Sequence, residues 1–167
     1  MSGLKRVRYS TGILLSEKDF NDEQSYFLEK QRRHNRALHG AGVVVGLEVR
    51  TVGYGIRVEP GMALDANGNE IVVEQPVTLS LEERSDTPLY VMIRYAEIEC
   101  ELVPVVTPEV PPMVPSRIQE SFELSVTRDA PKPGGGTGAC PLLLAQLSYQ
   151  RGRWRVTRSM RAPHVRS

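Results

Sequence analysis

Polar and apolar positions between residues 16 and 49 follow a helical period first and a strand pattern afterwards. Ser16 is a favourable N-cap, and Asp19 stands three positions later, as in a capping box. Gly40 supplies the left-handed residue with which many helices end. We therefore predict one long helix up to His39, followed by an apolar strand that begins near Val43.

After Gly40 the chain consists of short alternating runs separated by turn residues, which is typical of antiparallel strands. Asn67-Gly68, between two apolar runs, is the strongest hairpin signal. Gly46 lies inside an apolar run, where glycine indicates a bulge or a close backbone approach. The pattern predicts an α+β fold: one long N-terminal helix followed by a mainly antiparallel β domain of about eight short strands.

This pattern divides the chain into an extended segment with the long helix, residues 1–40, and a β-rich domain, residues 41–167. Residues 103–116 contain five prolines, so we expect a proline-rich loop that is extended and supplies no central strand. Residues 129–141 are rich in glycine and proline, which predicts a second, mobile loop.

The predicted helix has one face that is too sparse in apolar residues for a helix buried in its own core. At 1.5 Å per residue, about 23 residues would give a length of about 35 Å, more than the following sheet is expected to cover. The sequence therefore predicts contact with another chain. The candidate interface residues are Phe20, Gln24, Phe27, Gln31 and His34.

Residues 34–40 are predicted to switch the chain from helix to sheet. Arg36 and His39 lie at the negative end of the helix dipole, where donors satisfy the last free carbonyls. We expect the Asn35 amide to bond the backbone of the following strand. Gly40 and Gly42 allow the chain to reverse where a side chain would be strained.

Composition limits the classes of function that the chain can have but does not indicate a particular chemical activity. The 167 residues carry a formal net charge of +1, which gives no electrostatic reason to expect nucleic acid. No apolar run approaches the roughly 20 residues that a membrane-spanning helix needs, and no signal peptide is expected. Cys100 and Cys140 have no metal or redox spacing, which favours synthesis in a reduced cytosol, although one disulfide remains open.

The sequence contains no recognisable set of residues for a chemical site. His34 and His39 are five positions apart, about 140° around a helix, and a zinc pair needs a shared face. The acidic and amide residues 65–70 invite calcium, but a hairpin turn explains them. No phosphate-binding, dinucleotide or nucleophile motif is present. We predict no catalytic residue, no cofactor, no metal site and no enzymatic activity, with a hydrolase using Glu97, Glu99 or Glu101 kept as a rival.

One concentration of charge supports an alternative function. Arginines interleaved with Tyr149 and Trp154 are typical of strands that bind single-stranded nucleic acid, and a carbohydrate would suit the same strands. The simpler interpretation is a solvated edge strand with Trp154 on its core face. The arginines are Arg151, Arg153, Arg155, Arg158, Arg161 and Arg166.

Residues 9–73 resemble a family of small proteins from contractile phage tails and phage-tail-like injection systems. The resemblance rests on YSTGILLSEKDFNDEQSYFLEKQRRHNRALHGAGVVVGLEV and on IRVEPGMALDANGNEIVV. It implies a structural subunit at the baseplate or at a fibre attachment, with baseplate, spike or fibre proteins as neighbours. It also implies a homo-oligomer, with a trimer as the expected form. The chain would be made in the cytoplasm and then join a particle that is released or attached to a membrane.

Overall fold

The computed structural model describes residues 5–81, 86–105, 113–130 and 141–159. Within these ranges the chain forms one helix, α1 (Glu17–Leu38), and ten strands. The strands are β1 (Gly42–Gly46), β2 (Val49–Val52), β3 (Gly55–Val58), β4 (Gly61–Leu64), β5 (Glu70–Val73), β6 (Val77–Ser80), β7 (Leu89–Pro104), β8 (Met113–Thr127), β9 (Leu142–Gln150) and β10 (Arg153–Ser159).

The ten strands form three antiparallel sheets. The first has the order β1-β4-β5, the second β2-β3-β6, and the third β10-β9-β7-β8. The predicted hairpin at Asn67-Gly68 is confirmed, since β4 pairs with β5 in the register Leu64↔Glu70.

The α+β prediction is wrong, and so is the count of about eight strands. Strands occupy 54% of the described residues, and the ten strands form three sheets beside a single helix. Of the 22 residues of α1, only Asn35 is buried. The described chain is therefore a mainly antiparallel β protein with one appended helix.

One cause of the miscount is the apolar run of residues 43–49, which forms two strands in two different sheets. Gly46 and Leu47 both have left-handed backbones, with φ of 64° and 56°. They turn the chain out of β1 and into β2, while Leu47 itself is buried and donates its N–H to the Pro60 carbonyl over 3.2 Å. A Cβ on Gly46 would lie 2.1 Å from the Pro60 oxygen, so the predicted close approach at Gly46 is confirmed.

The core lies where the inner faces of the three sheets meet, and burial of this apolar surface is the main force that holds them together. Trp154 from β10 closes one side and packs edge-to-face on Tyr149, with ring centroids 5.3 Å apart. The most deeply buried large side chains are Leu47, Ile56, Ile71, Ile93, Leu144 and Leu147.

Strands β7 and β8 extend beyond their sheet as a two-stranded ribbon. Strand β9 pairs with β7 over Leu89–Ile93, whereas β8 pairs with β7 as far as Pro104↔Met113. The ends of the proline-rich segment are thus strand, and their prolines lie where the described ribbon has a free edge, which tolerates a missing N–H. Residues 106–112 and 131–140, the middle of both predicted loops, lie outside the described residues.

Candidate interaction surface

Helix α1 begins as its sequence predicts. The Asp19 carboxylate accepts hydrogen bonds from the Ser16 hydroxyl at 2.6 Å and from the Ser16 N–H at 2.8 Å. The hydroxyl first, and then the N–H, lower the pKa of Asp19 below its usual value. The Asp19–Ser16 half of a capping box therefore fixes the first turn, with Ser16 exposed and Asp19 partly exposed.

The C-terminal half of α1 is attached to the β4–β5 hairpin through Asn35. The Asn35 amide donates to the Gly68 carbonyl at 2.9 Å and to Glu70 Oε1 at 3.2 Å. Gln31 reinforces the contact by donating to Asn35 Oδ1 at 3.3 Å and to Glu70 Oε1 at 3.2 Å. Asn35 is 4% exposed, so losing these bonds would leave a buried amide unsatisfied.

The backbones of helix and hairpin approach each other most closely at Gly68. Its φ is +85°, and a Cβ there would lie 2.2 Å from the Arg32 carbonyl oxygen. Arg36 adds a bond from its guanidinium to the Asn67 carbonyl at 2.6 Å. Glycine at residue 68 is therefore required twice, for its backbone conformation and for the space it leaves to α1.

The hairpin turn is organised by hydrogen bonds to the Asp65 carboxylate. Its carboxylate accepts bonds from the N–H groups of Asn67 and Asn69 at 2.9 and 2.8 Å and from the Asn69 amide at 2.8 Å. Asp65 is 3% exposed, and these donors offset the cost of burying its polar oxygens. Hydrogen bonds within the turn account for the acidic and amide residues seen in the sequence.

Helix α1 ends at Leu38 and β1 begins at Gly42, and two side-chain contacts near this helix end differ from those expected. Gly40 has φ of +71°, which is the left-handed stop expected. Asn35 bonds the hairpin turn instead of the following strand, and Arg36 bonds Asn67 and Glu29 instead of the last helical carbonyls. His39 is the C-cap, and its own N–H bonds the Asn35 carbonyl; Gly42 begins β1.

The assignment of His34 and His39 to different faces is also wrong. Their ring centroids are 5.5 Å apart, with His39 at the C-cap position directly after the last helical residue, Leu38. Among the described residues, no three histidine, cysteine, aspartate or glutamate side chains lie close enough to hold a metal ion.

The five interface candidates form an open strip along α1. Phe20 is 51% exposed and Phe27 57% exposed, and Gln24 and His34 are exposed as well. Gln31 differs from the others because its amide is bonded to the hairpin, so it marks the edge of the strip next to the β body.

A second exposed apolar surface lies on the β7–β8 ribbon, and the sequence analysis missed it. Leu102 is 62% exposed, and Ile98 and Met113 are about half exposed. Ile118, 64% exposed, pairs with Glu99 and therefore lies on the opposite face of the ribbon from Ile98. The alternation of Ile98 and Leu102 with glutamates was a usable sequence signal for these positions. A ribbon with only two strands gives neither face a covering sheet.

Glu97 connects the base of the ribbon to α1. Glu97 Oε1 accepts the Tyr95 hydroxyl at 2.9 Å and lies 3.4 Å from the Arg32 guanidinium. Burial raises the pKa of Tyr95, and the hydrogen bond to Glu97 raises it further. Glu97 thus has structural contacts, and Glu101 lies 3.8 Å from Arg117 in an exposed ion pair.

The arginine-rich strand β10 does not present its one aromatic residue, Trp154, to solvent. Trp154 is 8% exposed and belongs to the core, whereas Arg153, Arg155 and Arg158 are exposed. Stacking of bases on Trp154 would need it to leave the core, so this geometry favours the solvated edge strand over the nucleic-acid alternative. Arg161 and Arg166 lie outside the described residues.

Cys100 is a free thiol of intermediate exposure, and Cys140 lies outside the described residues. In the part of the chain that the structure describes, no helix is long and apolar enough to cross a membrane.

The fold and its surfaces define a mainly β protein that carries a projecting helix and a projecting ribbon. No protein-family model matches the sequence, and no curated protein matches it. The fold is similar to a crystal structure of TssK, with a TM-score of 0.56, 12% identity, and coverage of 92% of this chain and 41% of that chain. It is also similar to a chain of the baseplate complex from the type VI secretion system, with a TM-score of 0.55, 11% identity, and coverage of 93% and 58%.

These two comparisons establish a shared fold. The chain spans about two fifths and somewhat under three fifths of the two chains it matches.

Proposed function

We propose that the chain is a structural, non-enzymatic subunit of a contractile injection system or phage-tail-like particle, placed at the baseplate or at a fibre attachment. The observation that carries this proposal is the shared fold with TssK and with a type VI secretion baseplate chain. The motif of residues 9–73, which resembles contractile-tail proteins, supports it from the sequence side. The two lines of support are separate, because fold comparison at 11–12% identity does not depend on the motif.

The two exposed apolar surfaces suit a subunit that joins other proteins. Large exposed apolar patches on a folded chain are typical of protein interfaces. The strip on α1 includes Phe20 and Phe27, and the ribbon exposes Ile98, Leu102 and Ile118. A connecting subunit needs separate surfaces for separate neighbours, and here the helix and the ribbon supply two. The neighbours we propose are baseplate, spike or fibre proteins.

The proposal is tested by the composition of purified particles. In cells that produce the particle, we expect an affinity-tagged copy of this chain to copurify with sheath and tube at a fixed ratio. Deleting its gene should yield particles that lack baseplate or fibre components. Absence of the chain from intact particles, with unchanged particles after deletion, would refute the proposal.

A paired variant tests the ribbon separately. We expect Ile98→Ser with Leu102→Ser to reduce incorporation at least about tenfold, because each large apolar side chain contributes about 1.5–3 kcal/mol when buried. Tyr54→Ser is the matched control, since Tyr54 is 90% exposed and lies in the turn between β2 and β3, not on the ribbon. Circular dichroism of both purified variants should match the wild type. Equal incorporation of the two variants would exclude the ribbon as the attachment surface.

A further inference from the structure

The open strip on α1 has the spacing of a coiled-coil seam. Steps of four and three residues alternate along it, which is the heptad pattern of helices that pair side by side. Its apolar positions are Phe20, Phe27 and Leu38, and its polar positions are Gln24, Gln31 and His34. Such a seam extends over five of the six turns of a helix of 22 residues.

Most of this seam faces away from the rest of the described chain, but the Gln31 amide borders the β body, where it donates to Glu70 Oε1 at 3.2 Å. The β body holds α1 through Asn35 and Arg36, at the C-terminal end. The N-terminal segment lies over another face, where Val7 and Leu15 line a groove with Tyr26. Phe27 at 57% and Leu38 at 69% exposure remain in solvent on the seam itself.

The distribution of charge along α1 indicates which partner suits the seam. Its first seven residues carry four carboxylates and one lysine, a net charge of −3, and its last ten carry four basic side chains and Glu29, a net charge of +3. A parallel copy would place like halves together. An antiparallel copy would place opposite halves together, which charge complementarity favours.

We propose that α1 pairs with α1 of a second copy of this chain, in antiparallel orientation, about a two-fold axis between Ser25 and Tyr26. In this register Phe20 packs against Gln31 of the partner copy, and Phe27 packs against Gln24 of the partner copy. Both contacts occur twice, as two-fold symmetry requires. In this dimer the seam is buried between the two copies, and the ribbon stays available to bind other proteins.

The same register brings opposite charges together along the flank of the seam. Glu23 lies beside Lys30 of the partner copy, in two symmetric pairs. Lys30 is exposed, and Glu23 uses one oxygen, Oε2, for the Tyr9 hydroxyl at 2.7 Å. At the ends of the pair, Glu17 lies opposite His34 of the partner copy. This arrangement predicts a dimer rather than the trimer that the family resemblance implies.

Disulfide cross-linking of the purified full chain tests the orientation. In a Cys100→Ser, Cys140→Ser background, a Glu17→Cys variant is mixed with a His34→Cys variant under mild oxidation. The antiparallel pair should cross-link the mixture and leave each variant alone uncross-linked, because identical positions would be about 25 Å apart along the axis. A parallel pair would instead cross-link each variant with itself. Self-cross-linking, or no cross-link in the mixture, overturns the proposal.

Charge reversal supplies a second measurement that leaves the helix termini unchanged. Analytical ultracentrifugation should show a wild-type dimer, about tenfold weaker dimerisation for Lys30→Glu, and recovery in the double variant Glu23→Lys, Lys30→Glu. Lys18→Glu is the matched control, because Lys18 pairs with Asp22 off the seam. A monomeric wild type, or no recovery in the double variant, contradicts the antiparallel pair. The experiment uses the chain alone, so its failure is separate from failure of the particle proposal.

Discussion

Substituting Gly68 with alanine should separate α1 from the β body without unfolding that body. The added Cβ would lie 2.2 Å from the Arg32 carbonyl oxygen, and this neighbour is backbone, which cannot move aside by rotating a side chain. Either the hairpin turn or the helix must shift. A shift of either one stretches the bond from the Asn35 amide to the Gly68 carbonyl, which is 2.9 Å long in the native chain.

The expected loss in the free energy of unfolding has two parts. Placing a non-glycine residue at φ of +85° costs about 1–2 kcal/mol. Losing the bond of buried Asn35 costs about 1–3 kcal/mol, because the amide stays partly desolvated. Together these give about 2–5 kcal/mol for Gly68→Ala.

Gly152→Ala is the matched control. Gly152 also occupies a hairpin turn, with φ of +78°, but an added Cβ there would meet nothing within 4 Å. We expect this variant to lose only the backbone part, about 1–2 kcal/mol.

Two signals distinguish the helix from the body during urea unfolding. Far-ultraviolet circular dichroism at 222 nm follows α1, while fluorescence of Trp154, the single tryptophan, follows the core. In Gly68→Ala the helical signal should be lost at lower urea than the fluorescence signal, and amides of residues 29–38 should exchange faster. In Gly152→Ala the two transitions should coincide. Equal costs for the two variants, with unchanged exchange in α1, would refute this account of the helix contact.

Two other predictions concern single contacts of α1. Asn35→Ala should lower the free energy of unfolding by about 1–3 kcal/mol, because it leaves the Gly68 carbonyl without its buried donor. The control is Asn21→Ala on the same helix, because among the described contacts Asn21 bonds only exposed Glu17, at 3.2 Å. This control should lose far less free energy of unfolding. Equal stability of the two variants in chemical denaturation would contradict the prediction. The lowered pKa of Asp19 means that its contribution is present above the unfolded pKa near 3.8 and is lost as pH falls through the lower folded pKa. Ser16→Ala should raise that pKa toward its usual value in a carboxyl NMR titration, and an identical titration in both proteins would show that the hydroxyl is not its main cause.

The sequence alone determined the elements that depend on near neighbours. Ser16 and Asp19 marked the helix start, Gly40 marked its end, and Asn67-Gly68 marked a hairpin; all three are present. Each of these three features depends on contacts between residues within about five positions of one another, so a local sequence pattern is enough to predict it.

Tertiary structure decided the contacts between residues distant in the chain. The Asn35 amide could bond any nearby carbonyl, and only the folded chain placed that of Gly68, 33 positions away, at 2.9 Å. The division of residues 43–49 between two sheets likewise required Leu47, a residue with no local preference for φ of 56°, to be held there by burial and by the Pro60 carbonyl. The free energy gained by packing Leu47 in the core offsets the strain of its left-handed backbone. The residues next to Leu47 in the sequence do not reveal this packing, because its partners are distant in the chain.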